Sequence, residues 1–180
     1  MTTLPASNRI PDKLINAKIY QGGKNELMGT ADAEFPTLEY ITENIAGLGL
    51  AGEVETPVLG HLKSLTFKFK LNTVNKSALI LLRPETHHLE VYASIQEYDA
   101  GTGELVSKPL KVVLRGLPKK VGLGKLEPAK KMDPDTELEC VYIKMWINGE
   151  VVLEIDKFNF ICNINGEDFL ESVRRDLGME

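Results

Sequence analysis

Gly149–Gly178, GEVVLEIDKFNFICNINGEDFLESVRRDLG, is the stretch on which the reading of the fold turns. Asn148-Gly149, where it begins, is the strongest two-residue hairpin signal in the chain, because a type I′ turn needs positive φ at both central residues. Val151, Leu153 and Ile155 then alternate with Val152, Glu154 and Asp156, which is the period of a strand. Phe158, Phe160, Cys162 and Ile164 extend the in-out pattern. Asn165 with Asp168 three residues on approaches a capping box. It predicts a short helix whose apolar face is Phe169, Leu170, Val173 and Leu177, with Glu171, Arg174 and Arg175 opposite. Gly178 closes it as a left-handed residue. Every polar residue here has a structural use, and no catalytic group stands out.

Working outward, Glu137–Ile147 is the partner arm of that hairpin. Tyr142 and Trp146 fall on one face, and Val141, Ile143, Met145 and Ile147 on the other, so its end is expected to be buried on both sides or to lie in a subunit contact. Further upstream, His88–Tyr98 and Leu105–Leu117 flank Asp99–Glu104 as a long hairpin with Leu110, Val112 and Leu114 facing the core. His61–Leu71 alternates strictly, Leu65, Phe67, Phe69 and Leu71 against Thr66, Lys68 and Lys70, and the lysines read as a solvated or ion-pairing face. Asn75 is placed to cap a helix over Ser77–Leu82, which Arg83-Pro84 ends. Leu14–Tyr20 and Leu27–Phe35 flank Gly22-Gly23-Lys24-Asn25 as a second hairpin, and Pro36 puts the following run, Thr37–Thr42, at a sheet edge. Met1–Asn8 is expected to be mobile until a partner orders it. Asn44–Gly60 and Lys119–Asp135 read as long loops, the first as an assembly arm. The sum is about eight strands and two short helices: a mainly β chain, an antiparallel sandwich or small barrel with flanking helices. A single domain over residues 10–180 with a flexible segment before it is the expected organisation.

The chain has 180 residues, is 43% apolar and 26% charged, and has a net charge of −5. That charge argues against a protein that grips phosphate backbones, although like-charge repulsion would let a polyanion slide through a conduit without sticking. No apolar run exceeds the five residues Ala78–Leu82, and roughly 20 are needed to cross a bilayer. With Arg9, Asp12 and Lys13 near the start and no signal-like run, synthesis and retention in a cytoplasm are expected. Cys140 and Cys162, both in apolar strand patterns, read as buried free thiols. His87 and His88 point to opposite strand faces and cannot share a metal.

Two glycine motifs fail on context. Gly47-Leu48-Gly49-Leu50-Ala51-Gly52 is a literal GxGxxG, but Glu-Val-Glu-Thr-Pro follows where a helix should open, and Asn72 stands where the acid should be. Gly122-Leu123-Gly124-Lys125 lacks both the earlier glycine and the following Ser or Thr of a phosphate loop. No catalytic residue, metal or cofactor is expected.

The chain resembles the major tail tube proteins of contractile phage tails, the family that also supplies the tubes of phage-tail-like bacteriocins. Matching segments are Asn16–Gly22 (NAKIYQG), Ile45–Gly52 (IAGLGLAG) and Leu114-Arg115-Gly116. The densest match is Tyr142–Gly178, with Asn148-Gly149-Glu150, Leu153–Asp156, Asn159, Asn165-Gly166, Asp168, Arg174 or Arg175, and Leu177-Gly178. The resemblance implies a β-barrel-like subunit flanked by a helix, six of which form a ring whose inner sheets join into a β-lined lumen. The rings stack into a rigid tube, and the sheath drives that tube through the target envelope. Tail sheath, tape measure, baseplate and terminator proteins are the implied partners. DNA passes without specific binding, and no membrane anchor is implied. The implied location is the cytoplasm of the producing bacterium and then the tail of the particle. Gly47, Leu48, Gly49, Leu50 and Gly52 would form the contact loop that reaches a neighbouring ring.

Glu154, Asp156, Arg174 and Arg175 are the candidate lumen, sheath or assembly surface, and Glu154→Lys with Asp156→Lys is expected to leave the subunit folded while impairing tube growth or sheath docking. Lumen-facing positions are expected to carry no net positive charge. The alternatives are a type VI secretion-like tube protein, or a single-strand nucleic-acid binder using Phe67 and Phe69 with Lys68 and Lys70. Phe and Lys lie on opposite strand faces, which defeats a combined surface.

Overall fold

Strand β8 (Asp135–Ile147) is the spine on which the sheet is assembled, because it has different partners along its two halves. One side pairs along its length with β7 (Glu104–Val121). On the other side, Asp135–Glu139 pair with β5 (Thr66–Leu71), whereas Tyr142–Ile147 pair with β9 (Glu150–Asp156). The computed structural model describes residues 9–23, 29–49 and 51–179. Among them the sheet runs β1 (Arg9–Gln21), β6 (His87–Asp99), β7, β8, β9, β10 (Ile161–Ile164) and β11 (Glu167–Asp168). A fork from β8 runs through β5 to β2 (Thr30–Glu34). A separate two-stranded sheet pairs β3 (Tyr40–Ile45) with β4 (Val54–Leu62). All pairings are antiparallel. The fold class expected from sequence is thus the one observed: mainly antiparallel β with two short helices.

The fork bends the sheet around one core. Its register shifts between Arg115 and Gly116, opposite Cys140 and Tyr142, and a bulge there steepens the local twist. Gly116 is needed at that point, since a Cβ on it would stand 3.1 Å from Leu138 Cβ and 3.2 Å from the Glu139 carbonyl oxygen. Inside the bend lie the alternate residues of each strand: Ile19, Phe67, Phe69, Leu89, Val112, Leu114, Ile143 and Ile155. Phe67 is fully buried, with its ring centroid 5.5 Å from that of Phe69 and 5.7 Å from that of Phe35. Helix α1 (Lys76–Ile80) adds Ala78, and Leu81 at its C-terminal end joins the same core. Asn75 caps it as expected, accepting the Ala78 N–H at 2.7 Å.

Several local expectations are corrected. β1 and β2 do not form a hairpin with each other, because β1 pairs with β6 and β2 with β5; Lys24 and Asn25 of the expected turn lie outside the described residues, as does Met1–Asn8. Asn44–Gly60 is not a loop but most of the β3–β4 hairpin. The extended run expected over Thr37–Thr42 enters β3 at Tyr40. The strand expected over His61–Leu71 is two, β4 ending at Leu62 and β5 starting at Thr66. β7 continues through Val121, so the loop read from Lys119 is shorter at its start. Phe158 and Phe160 belong to a turn rather than a strand, and Phe160 has φ 50°. Asn165-Gly166, with φ 51° and 90°, is a hairpin turn joining β10 to β11, not a helix cap. The helix, α2, starts later, at Glu171–Asp176, with Leu170 as its N-cap and no side-chain cap. It ends as predicted: Gly178 has φ 67°, its N–H reaches the Arg175 carbonyl at 3.0 Å, and the Met179 N–H reaches that of Arg174 at 3.0 Å.

Candidate assembly surfaces

The convex face of the β1–β6–β7–β8–β9 sheet carries the residues that alternate with the core. Pairing aligns Lys18, Tyr92, Lys111 and Trp146 in one row across four strands, and Tyr20, Glu90, Val113, Lys144 and Glu154 in the next. The Lys111 ammonium lies 5.1 Å from the Tyr92 ring centroid and 5.4 Å from that of Trp146, and Lys144 lies 5.4 Å from the Trp146 centroid. Arg115 sits 4.9 Å from the Tyr142 ring. These are cation–π distances. The Tyr92 hydroxyl donates to Glu90 at 2.7 Å and, with His88 and Lys111, holds that carboxyl below its ordinary value against the opposing effect of burial. Burial, and then donation to Glu154 at 2.9 Å, pushes the Tyr142 phenol up to about 12, so it stays a donor at any physiological pH. Beside the first row, on the side away from the second, lies an open groove of about 720 Å³, lined by Asn16, Lys18, Tyr92, Pro109, Lys111 and Trp146 among others.

The opposite character belongs to the fork. Glu34 opposes Lys68, which opposes Glu137; Asp32 opposes Lys70, which opposes Asp135. Lys120 bridges Asp135 and Glu137. The lysine row read as ion-pairing is ion-paired, Lys68 with Glu34 at 3.8 Å. Phe67 and Phe69 point into the core instead, which removes the stacking platform of the nucleic-acid alternative.

The β3–β4 hairpin is an arm. Its register places Ile45 against Val54 and Glu43 against Thr56 on one face, and Asn44 against Glu55 and Thr42 against Pro57 on the other. Ile41, Ile45, Val54 and Leu59 are exposed, and Leu48 at the tip is fully so. The arm is held at its base: Gly60 packs on Leu170, the His61 and Phe160 rings lie 6.4 Å apart, and Lys157 donates to the Lys63 carbonyl at 2.9 Å. Gly47, Leu48, Gly49 and Gly52 are brought together at this tip, and Leu50 lies outside the described residues. A second projection is the distal β6–β7 hairpin with the start of β1, which exposes Ile10, Leu14, Ile15, Tyr98 and Leu105. There the buried Glu97 pairs with Lys108 at 3.0 Å and Arg9 at 3.9 Å, tying β1 to the hairpin.

Glu154, Asp156, Arg174 and Arg175 do not form one surface. Glu154 accepts from Tyr142 and pairs with Lys144 at 2.9 Å. Asp156 is buried and accepts the N–H groups of Phe158 and Asn159 at 3.0 and 2.9 Å and the Asn159 amide at 2.7 Å, which builds the turn into β10. Arg174 donates to the Phe160 carbonyl and to Asp168, both at 2.7 Å. Burial would raise the Asp168 carboxyl, but Arg174 and the Leu170 and Cys162 N–H groups outweigh it and hold the group below its ordinary value. Arg175 is exposed. The convex aromatic row was missed in sequence because Tyr92, Lys111 and Trp146 meet only once the β7–β8 register is known.

Among the described residues no group of three His, Cys, Asp or Glu is placed to hold a metal, and no helix is long and apolar enough to cross a membrane. Cys140 and Cys162 are buried free thiols, and burial pushes the Cys140 thiol up to about 12.

A family model described as Phage tail tube protein FII matches residues 11–178. The chain is 26% identical over 180 residues to the tail tube protein of Escherichia phage P2, covering 98% of this chain and 99% of that one. Among solved structures, it is similar to the PVC sheath/tube terminator of an extracellular contractile injection system in its extended state. That match has a TM-score of 0.53 at 11% identity, over 76% of this chain and 97% of that chain, and shows a shared fold.

Proposed function

Since the chain belongs to the phage tail tube protein FII family, we propose that it is the repeating subunit of the inner tube of a contractile tail, six copies closing a ring and rings stacking into a hollow tube inside a sheath. Its role is structural. Tube building requires apolar surface that only neighbours cover, and the observation that carries the proposal is the pair of projections with that property. The arm exposes Ile41, Ile45, Val54 and Leu59, and the β1–β6–β7 end exposes Ile10, Leu14, Ile15 and Leu105. Large apolar side chains exposed in groups mark interaction surfaces, and a two-stranded hairpin is marginal on its own. Contacts between unlike patches of identical subunits close into rings or repeat as open stacks.

The arm, with Gly47, Leu48, Gly49 and Gly52 at its tip, is the proposed contact with a neighbouring ring. Sheath, tape measure, baseplate and terminator proteins are the proposed partners. The tube serves as a DNA conduit where the tail carries a head and as an envelope-piercing channel where it does not. Of the two sheet faces, the fork suits a lumen wall. Asp32, Glu34, Asp135 and Glu137 face Lys68, Lys70 and Lys120 there, four carboxylates to three ammonium groups, so a passing polyanion meets no net attraction. Glu154, Asp156 and Arg174 act within the subunit, which leaves Arg175 as the proposed outward contact of that set.

Negative-stain microscopy of the purified protein over rising concentration tests the proposal. Rings or tubes with a central hole are expected. A strictly monomeric species at high concentration would refute it.

A further inference from the structure

The groove on the convex face and the arm are complementary in shape class and in charge. We propose that the arm of one copy seats its Ile45–Val54 pair in the groove of the next copy, with Glu43 of the arm meeting Lys18 at the groove wall. This rests on the tube reading and names the surface that receives the arm.

The groove is apolar where the Tyr92, Pro109 and Trp146 side chains line it, and its charged lining residues are Lys18 and Lys111 with no carboxylate. At about 720 Å³ it falls in the size range that accepts a drug-sized group, which is room for a cross-strand aliphatic pair. Lys111 is occupied by Glu90 at 3.6 Å, whereas Lys18 has no hydrogen-bond or ion-pair partner among the described residues. The arm supplies what is missing. From Tyr40 to Leu62 it holds Glu43, Glu53 and Glu55 and no Lys or Arg.

Glu55 is engaged by Thr42, but the carboxylate of Glu43 has no partner among the described residues. Glu43 shares its hairpin face with Ile45 and Val54, both about half exposed. One arm face therefore offers an aliphatic pair beside a free carboxylate, and the groove offers an apolar lining beside a free ammonium. No arm residue lines the groove of its own chain. The arm roots on Leu170, beyond β9 and β10, while the groove spans β1 to β8, so the occupant is a second copy. The two patches differ, so the contact repeats without closing on a pair, and it hides the basic aromatic face from anything that passes along the tube.

The test is charge exchange in the full chain. Glu43→Lys and Lys18→Glu are prepared singly and together, and the critical concentration for tube growth is read by sedimentation and microscopy. Both side chains are exposed and have no partner among the described residues, so thermal midpoints are expected to stay at the wild-type value. Each single variant is expected to raise the critical concentration at least about tenfold, since it sets like charges opposite each other, and the double variant to return it to within about threefold of wild type. Singles that grow tubes like wild type, or a double that fails to recover, would overturn the assignment and leave the tube reading intact. Singles that grow tubes but lose sheath binding, or lose salt-dependent oligonucleotide binding, would give the groove to another partner and overturn it equally. Wild-type protein that stays monomeric would overturn the tube reading and this inference with it.

Discussion

Gly60→Ala probes the joint between the arm and the C-terminal helix. The register of β3 and β4 jumps from Thr42↔Pro57 to Tyr40↔Leu62, and Gly60 lies inside that bulge with φ +64°. An alanine in the left-handed region costs roughly 1–2 kcal/mol. A Cβ built at this position would stand 2.5 Å from Leu170 Cγ and Cδ2 and 2.8 Å from Cδ1, about 1 Å inside normal carbon contact. Leu170 is 4% exposed and has little room to retreat, so the overpacking adds roughly 1–3 kcal/mol. The total of roughly 2–5 kcal/mol is a large part of the ~5–15 kcal/mol that holds a domain folded. Urea unfolding followed by Trp146 fluorescence, the single tryptophan, measures it. Leu170→Ala separates the two contributions. Alone it costs roughly 2–5 kcal/mol as a cavity, but combined with Gly60→Ala it removes the clash, so the double variant is expected to fall short of the sum by about 1–3 kcal/mol. Additivity to within ~0.5 kcal/mol would show that Leu170 does not press on Gly60 and would refute the proposed joint.

Asp156→Ala removes the acceptor for three N–H donors of the turn into β10 and is expected to cost roughly 2–3 kcal/mol in a urea titration. The pair Glu154→Lys with Asp156→Lys is accordingly expected to unfold the C-terminal hairpin rather than spare it, which loss of far-UV signal at a lower urea concentration would show. Arg175→Glu, at an exposed helix position, is expected to shift stability by less than ~0.5 kcal/mol, so any loss of tube growth in that variant reports an outward contact. The Asp168 carboxyl is held below its ordinary value in the folded state. Its contribution is therefore complete above the unfolded pKa near about 4 and is lost as pH falls through the lower folded value. Urea midpoints taken from pH 5 downward are expected to fall more steeply for wild type than for Asp168→Asn. Phe67→Ala, at a fully buried site, is expected to cost about 3–5 kcal/mol by the same titration.

What was legible in sequence was whatever a short range decides. The Asn148-Gly149 turn, the Asn75 cap and the Gly178 terminator each depend on a residue's own φ or on a bond within three positions. The alternation of Phe67 and Phe69 with Lys68 and Lys70 needed only the two-residue period of a strand. Asn165-Gly166 was misread because an Asx residue ahead of an acid serves a helix cap and a tight turn equally well, and Asp168 chose between them by accepting the Cys162 N–H at 3.2 Å across the β10–β11 turn. Asn44–Gly60 was misread as a loop because its glycines and Pro57 hid a bulged hairpin from any periodic test. Of the candidate assembly surfaces, the arm could be located but not shaped. The groove was invisible, because its rows depend on the β7–β8 register across a long connection and a bulge at Arg115.

The net charge of −5 constrains the lumen only on average. A conduit for a polyanion needs a wall without net attraction, and the average over the chain says nothing about which wall. The structure divides the charge unevenly, with a self-neutralising ladder on β2, β5 and β8 and a basic, aromatic row on β1, β6, β7 and β8. Left bare toward a lumen, the second face would hold nucleic acid by stacking and charge together, the combination that makes a single-strand binder. A tube subunit must therefore turn this face from the passage or cover it. The proposed arm contact would take the second course: an arm that carries carboxylates and no basic residue would neutralise Lys18 and bury Ile45 and Val54, both about half exposed in the isolated subunit.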